Sequence, residues 1–235
     1  MKRVAALIVF AALFLTAGCL GTGGITQQDI DANASYNWSV NTTVRYNVTG
    51  DTFRAVTVIT NGTPVEAYRI TEFQGEQPVS VSAVRFRYPN GSVTTVNVSA
   101  VEQTGGRTII TPPADRGRLA YTAQSYSKEF SMGIGREGSY KVVLPPGMRI
   151  GIPLLGTISP GGADLRVVDN RVHLRWASLS DGEIALTYFL ERDFWLFAAL
   201  VGGLAVLAVI GVVYFRIQLN RLATRRREAG LNVDE

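Results

Sequence analysis

Cys19 is the only cysteine in the chain, and it sits at the end of an apolar run. Lys2 and Arg3 precede "VAALIVFAALFLTAG", and the flexible "LGTGG" follows the thiol. Small residues before a cysteine form the lipobox pattern of exported lipoproteins, in which the sulfur takes a lipid thioether and becomes the mature N-terminus. Ala17 and Gly18 fit that pattern. Thr16 stands where leucine is favoured, with Leu15 one step earlier, so the match is to the looser form. Lipidation is the expected fate of Cys19, against a plain cleavage site or a structural thiol, because a lone exposed thiol is reactive. A spanning helix needs about twenty apolar residues; the shorter run here suits a signal peptide over 1–18.

Other reactive types give weaker patterns. Ser125 and Lys128 have the Ser-x-x-Lys spacing of an acyl-transfer nucleophile, which requires a helix to bring the two side chains together. Here the residues around them alternate as in a strand, which turns positions i and i+3 to opposite faces. His173 lies between Val172 and Leu174, so strand parity sends it outward with Arg175, away from Val172, Leu174 and Trp176. Asp164, Asp169, Asp181 and Glu183 are carboxylates in turn-like sequence, without the spacing of a calcium loop. One cysteine and one histidine exclude a disulfide framework and the usual zinc sites. Neither a metal nor a cofactor is expected.

Asparagine is a clearer signal. Asn33, Asn37, Asn41, Asn47, Asn61, Asn90 and Asn97 each open an Asn-x-Ser/Thr triplet, the N-glycosylation acceptor. From Tyr36 to Val48 the even positions are mostly apolar and the odd ones polar, which predicts a strand or hairpin with one buried face and turns the early acceptors to solvent. Asn61 and Asn90 precede glycines in expected turns. Asn97 points away from Val96 and Val98.

The elements that must position these residues are mostly strands. "FRAVTVIT", "VEAYRITEF", "VSVSAVRFRY", "VTTVNVSAV", "SYKVVL", "LRVV", "VHLRW" and "EIALTYFL" stand between turn signals, and no helical period appears before Phe194. The expected fold is an all-β ectodomain, one or two small antiparallel β-sandwiches, followed by one transmembrane α-helix. "TPPAD" at 111–115 is the candidate linker. It divides a first β subdomain at 33–111, rich in sequons, from a second at 116–192, and residues 19–32 are expected to form a tether. The crowded "PPGMRIGIPLLGTISP", with Met148, Ile150, Ile152, Leu154, Leu155 and Ile158, either folds over the core or offers a contact surface.

Phe194–Phe215 carries no charge over twenty-two residues, about 33 Å of helix and enough to cross a bilayer. Trp195 and Tyr214 lie near its two ends, where interfacial rings settle. Arg216, Arg221, Arg225, Arg226 and Arg227 follow, which places a basic tail at 216–235 in the cytoplasm and the β region outside. Ile217, Leu219 and Leu222 would extend the helix if the tail docks a partner. The formal charge of +4 arises from the chain ends, since basic and acidic residues balance between Leu20 and Asp193. That balance argues against a nucleic-acid partner.

"FRYPNGSV", "GRLAYTA", "GSYKVVLPPGMR", "PLLGTISPGG" and "YFLERDFWLF", framed by the lipobox and the C-terminal helix, resemble an uncharacterised haloarchaeal family of membrane lipoproteins, described only as a domain of unknown function. The resemblance covers nearly the whole chain. It implies an archaeal cell-surface setting and brings no activity and no site residues. The expected function is that of a cell-membrane, single-pass lipoprotein with a glycosylated ectodomain, acting as a non-enzymatic binding or accessory protein with an envelope or membrane-complex partner. The alternative is an ectoenzyme of hydrolase type.

Overall fold

The computed structural model describes residues 24–71, 73–152 and 155–228. Cys19 and the signal-peptide run lie outside the described residues, as do Leu154 and residues 229–235. The chain divides after Tyr188 into a β unit and a C-terminal helical unit.

The β unit opens with a short helix, α1 (Gln27–Asp31), and continues as strands: β1 (Val44–Val48), β2 (Thr52–Ile59), β3 (Val65–Thr71), β4 (Gly75–Pro78), β5 (Val81–Arg87), β6 (Val93–Thr95), β7 (Val101–Thr104) and β8 (Arg107–Ile110). Beyond the 111–115 segment come β9 (Gly117–Gln124), β10 (Glu129–Gly133), β11 (Gly138–Val143), β12 (Met148–Arg149), β13 (Thr157–Ser159), β14 (Asp164–Val168), β15 (Arg171–Leu179) and β16 (Glu183–Thr187). The helical unit holds β17 (Phe189–Leu190) and α2 (Glu191–Glu228).

One eight-stranded sheet dominates, in the order β14-β15-β11-β1-β2-β9-β5-β6. A four-stranded sheet (β4-β3-β8-β7) and a three-stranded sheet (β10-β16-β13) pack against it. Strand parity explains the layering. β1 buries Val44, Tyr46 and Val48 and turns Arg45 and Asn47 outward. β2 buries Phe53, Ala55, Thr57 and Ile59 on the same side. Phe130 comes from the three-stranded sheet, and its ring lies 5.2 Å from Tyr46 and 5.3 Å from Phe53 between centroids. Such offset and edge contacts of large rings fix two layers in register as well as burying area. Gly133 on β10 has no Cβ to spare: one built there would stand 2.1 Å from the Tyr68 ring.

Three expectations need correction. The proposed division into 33–111 and 116–192 fails, because the large sheet interleaves both halves: β9 pairs with β2 and β5, and β11 pairs with β1. The hydrophobic strip of β1 and β2 is covered only when strands from beyond residue 116 join it. The sandwich is not wholly antiparallel either, since β1 and β11 run parallel, a pairing that needs a long crossover and is invisible to local pattern. The tether at 19–32 is structured from Thr26 onward. Thr26 and Asp29 form a reciprocal capping box, Ile30 is fully buried, and Arg85 donates to the carbonyls of Ile30, Asp31 and Ala32 at 2.8–3.0 Å.

The alternation expected from Tyr36 to Val48 holds as a burial pattern, but the strand begins only at Val44. Residues 36–40 have no regular structure, with the Val40 N–H turned back to the Trp38 carbonyl at 3.0 Å, and residues 41–43 form a bend. Where a clean strand was not expected, Met148, Ile150 and Ile158 pack partly buried against the core, so that part of the 145–160 segment folds back over it. The cis peptide at Ser159–Pro160 lies here, and the Pro160 carbonyl accepts from Trp176 Nε1 at 3.0 Å.

In the helical unit α2 begins at Glu191 and runs to Glu228, longer at both ends than the 194–215 expected. Within Glu191–Leu222 the most apolar 18-residue window has a mean hydropathy of 2.8 with its apolar side chains exposed, and the helix is long and apolar enough to cross a membrane. Ile217, Leu219 and Leu222 continue the helix into the basic segment.

Candidate functional site

The outward face of the eight-stranded sheet collects cations. Register places Arg175 on β15 opposite Lys141 on β11, and Lys141 opposite Arg45 on β1. The next row holds Arg166 on β14 opposite His173 on β15, and Asn47 on β1 opposite Arg54 on β2. Farther along, Arg87 on β5 faces Arg118 on β9. Asp164, opposite Arg175 and bridged to Arg166 at 3.0 Å, is the only acidic side chain on the strands of this sheet. The second layer carries the opposite bias, with Glu66, Glu76, Glu102, Glu129 and Glu183 against Arg69 and Arg107. There Arg107 forms ion pairs with both Glu66 and Glu76 and stacks 4.3 Å over the Tyr68 ring, an internally satisfied cluster. A β region balanced in composition is therefore polarised in space along its strands.

Residues 33–43 cross the outward face and shape it into two clefts. Tyr36 anchors this segment: its hydroxyl donates to the Ala83 carbonyl at 2.6 Å and lies 2.8 Å from Thr122 Oγ1. Ala83 sits at a bulge with a φ of 51°, which turns that carbonyl out of the ladder. One cleft, about 310 Å³, is lined by Ser35, Tyr36, Asn37, Arg45, Asn47, Arg54 and Val56. The other, about 260 Å³, is lined by Asn41, Lys141, Asp164, Arg166, Val168, His173 and Arg175.

The electrostatics show incomplete compensation. Burial, followed by Arg45, Arg175 and Arg166, pushes the Lys141 ammonium below its ordinary range. Burial and then Lys141, Arg45 and Arg171 hold the His173 imidazole below 6.5, with Asp169 opposing weakly. Burial also lowers Arg45. Its Nη1 donates to the Ser39 carbonyl at 3.3 Å, but its Nε is buried without a hydrogen-bond partner. A buried unpaired guanidinium donor is costly. Arg171 differs, because it donates to Leu144 O, Val48 O and Asn47 Oδ1 at 2.6–3.0 Å. Its role is structural.

A family model described as "Family of unknown function (DUF5803)" matches residues 40–234. The chain belongs to that family. No curated protein and no solved structure matches it. The DUF5803 match takes in every strand described above and α2, so the cationic face lies within the family region.

The residues singled out from sequence fall in separate places. His173 is on the cationic face and points outward with Arg175, as parity indicated. Ser125 and Lys128 lie in the tight turn between β9 and β10. Ser125 Oγ donates to the Glu129 carbonyl at 3.2 Å, and Lys128 has a φ of 61°. No helix brings the pair together. Asp164, Asp169, Asp181 and Glu183 are spread over two strands and two turns, and no metal-binding group of three such residues occurs among the described residues. Asn33, Asn37, Asn41, Asn61, Asn90 and Asn97 are exposed. Asn47 is half-buried and held by Arg171, a local engagement that strand parity could not reveal. Sequence reasoning missed Arg45, Arg54, Lys141, Arg166 and Arg175. Their outward parity was legible strand by strand, but their adjacency depends on strand order.

Proposed function

We propose that this protein is a cell-surface, single-pass membrane lipoprotein whose β unit is a non-enzymatic binding or accessory module of the envelope. The observation that carries this reading is the combination of α2, apolar and long enough to cross a bilayer, with a β unit that gathers cations on one sheet face. Binding fits that face better than catalysis. His173 stands among cations, and no hydrogen-bonded carboxylate orients it as a general base among the described residues.

The five arginines after the apolar span, against the mixed Glu191, Arg192 and Asp193 before it, support a cytoplasmic tail by the positive-inside rule. The "AGC" ending of the signal-like run supports a lipid on Cys19. Since α1 is docked from its Thr26 cap, the seven-residue step from Cys19 extends at most about 25 Å. A lipid there would keep the β unit close to the membrane surface, in addition to the hold provided by α2. The exposed Asn33, Asn37, Asn41, Asn61, Asn90 and Asn97 are the favoured glycan acceptors, and Asn47 is disfavoured by its bond to Arg171.

Protease added to intact cells tests the topology. The β unit should be digested and a fragment carrying residues 216–235 retained; protection of the β unit overturns the orientation. Mass spectrometry of the mature N-terminal peptide tests the lipid, and Cys19→Ser should leave the chain in the membrane through α2. Glycopeptide mapping tests the acceptors. Turnover in a hydrolase screen of the full chain in detergent would replace the binding reading with an enzymatic one, while crosslinking in intact cells would capture an envelope partner.

A further inference from the structure

We infer that the outward face of the eight-stranded sheet binds an acidic polysaccharide along a track running from Arg166 and Arg175, through Lys141 and Arg45, to Arg54. This rests on the cell-surface placement proposed above and names the ligand class of the same face.

Cost is the first argument. Like charges directly opposite on neighbouring strands destabilise a sheet, and here three stand in one row, Arg175, Lys141 and Arg45. The one acid on these strands, Asp164, lies opposite Arg175 and is already bridged to Arg166. A fold that keeps such a row, with Arg45 Nε buried and unpaired beside a cleft, is completed by an anion that supplies the missing acceptors.

Shape is the second argument. The cations do not converge on a point, as they would around a single phosphate. They extend over β14, β15, β11, β1 and β2, four inter-strand steps or roughly 19 Å. A small anion would meet one part of that track, whereas a polymer with repeating acidic groups meets all of it. The linings also offer Ser35, Asn41 and Asn47 as hydroxyl and amide partners for sugar hydroxyls. A single-stranded nucleic acid binds largely by stacking its bases on aromatic side chains. No large aromatic on this face is exposed among the described residues, since Tyr36 and Trp38 are both half-buried.

The acidic sugar could come from a surface polymer or from glycans on Asn37 and Asn41, which line the clefts. Both sources present the same chemistry to the same side chains.

The test uses the full chain in detergent, with polygalacturonate and dextran sulfate as probes and neutral dextran as reference. The parent or its Asn37→Gln/Asn41→Gln form should bind the acidic polymers and not neutral dextran. Binding by both points to an external polymer, and binding only after removal of the acceptors points to the protein's own glycans. Lys141→Gln/Arg175→Gln should weaken binding by at least about tenfold, as loss of charge-assisted hydrogen bonds implies, while Lys141→Arg should retain it. The glutamine substitutions are outward and relieve repulsion, so an unchanged or raised unfolding temperature will show that the fold survives. The inference is overturned if neither form binds, if the double glutamine variant binds as the parent does, or if single-stranded nucleic acid displaces the polysaccharide at lower concentration. None of these results bears on protease accessibility in cells, so the placement stands or falls separately.

Discussion

Lys141 and Arg45 are register partners across the parallel ladder of β11 and β1, and Arg175 lies opposite Lys141 on the other side. Like charges so placed repel across one strand spacing, and Asp164, opposite Arg175 but bridged to Arg166, leaves much of the repulsion to be softened by water and salt. This row distinguishes the outward face of the large sheet from the second layer, where Arg107 is paired with Glu66 and Glu76.

Lys141→Gln should therefore stabilise the ligand-free protein at low ionic strength, by about 0.2–1 kcal/mol, the usual range for a cross-strand pair. The gain should shrink in about 1 M salt, where screening acts within roughly 3 Å. Denaturant unfolding of the full chain in detergent at both ionic strengths checks this. A gain independent of salt would mean that Lys141 acts through packing.

His173 should make the β unit less stable in acid. Its folded-state pKa is held below 6.5 by burial and by Lys141, Arg45 and Arg171, whereas the unfolded chain takes up the proton near 6.5. Just below 6.5 the unfolded state binds more protons, so stability falls as pH drops and levels off once the folded form also protonates. His173→Gln removes this contribution. The loss of unfolding free energy between pH 7.5 and pH 5 should then be smaller in the variant than in the parent, and equal losses would assign the acid sensitivity elsewhere.

Arg85→Ala should release α1 from the sheet. The guanidinium donates to three consecutive carbonyls at and just beyond the end of this helix, satisfying groups that a helix C-terminus leaves open. A local loss of about 2 kcal/mol is expected from charge-assisted bonds of this kind. Hydrogen exchange should rise at residues 27–32, with protection retained in β1 and β2. Unchanged exchange would show that burial of Ile30 alone holds the segment.

Gly133→Ala should destabilise the whole β unit by about 1–3 kcal/mol, as overpacking of a filled core does. The added methyl meets the Tyr68 ring, which cannot easily swing away. Tyr68 lies under Arg107, and its hydroxyl donates to the Ile134 carbonyl at 3.3 Å. Thermal unfolding should show one shifted transition. Restoration in Gly133→Ala/Tyr68→Leu would confirm the contact as the cause.

Local period and composition were enough to determine the strand-rich class, the apolar helix near the C-terminus, the outward direction of His173 and Arg175, and the turns at Asn61 and Asn90. Each depends on residues close together in the chain: alternation along β1 and β15, an uncharged run from Phe194 to Phe215, or an asparagine before glycine. Only the tertiary structure decided that one β unit spans the 111–115 segment, that β11 pairs in parallel with β1, and that residues 27–31 are docked by Arg85. The cationic row belongs to this second group. Arg45, Lys141 and Arg175 are far apart in sequence, and each looks like an ordinary solvated strand residue in its own window. Strand order alone makes them neighbours, because hydrogen-bond ladders join strands without regard to their separation along the chain, and no local pattern records which strands will meet.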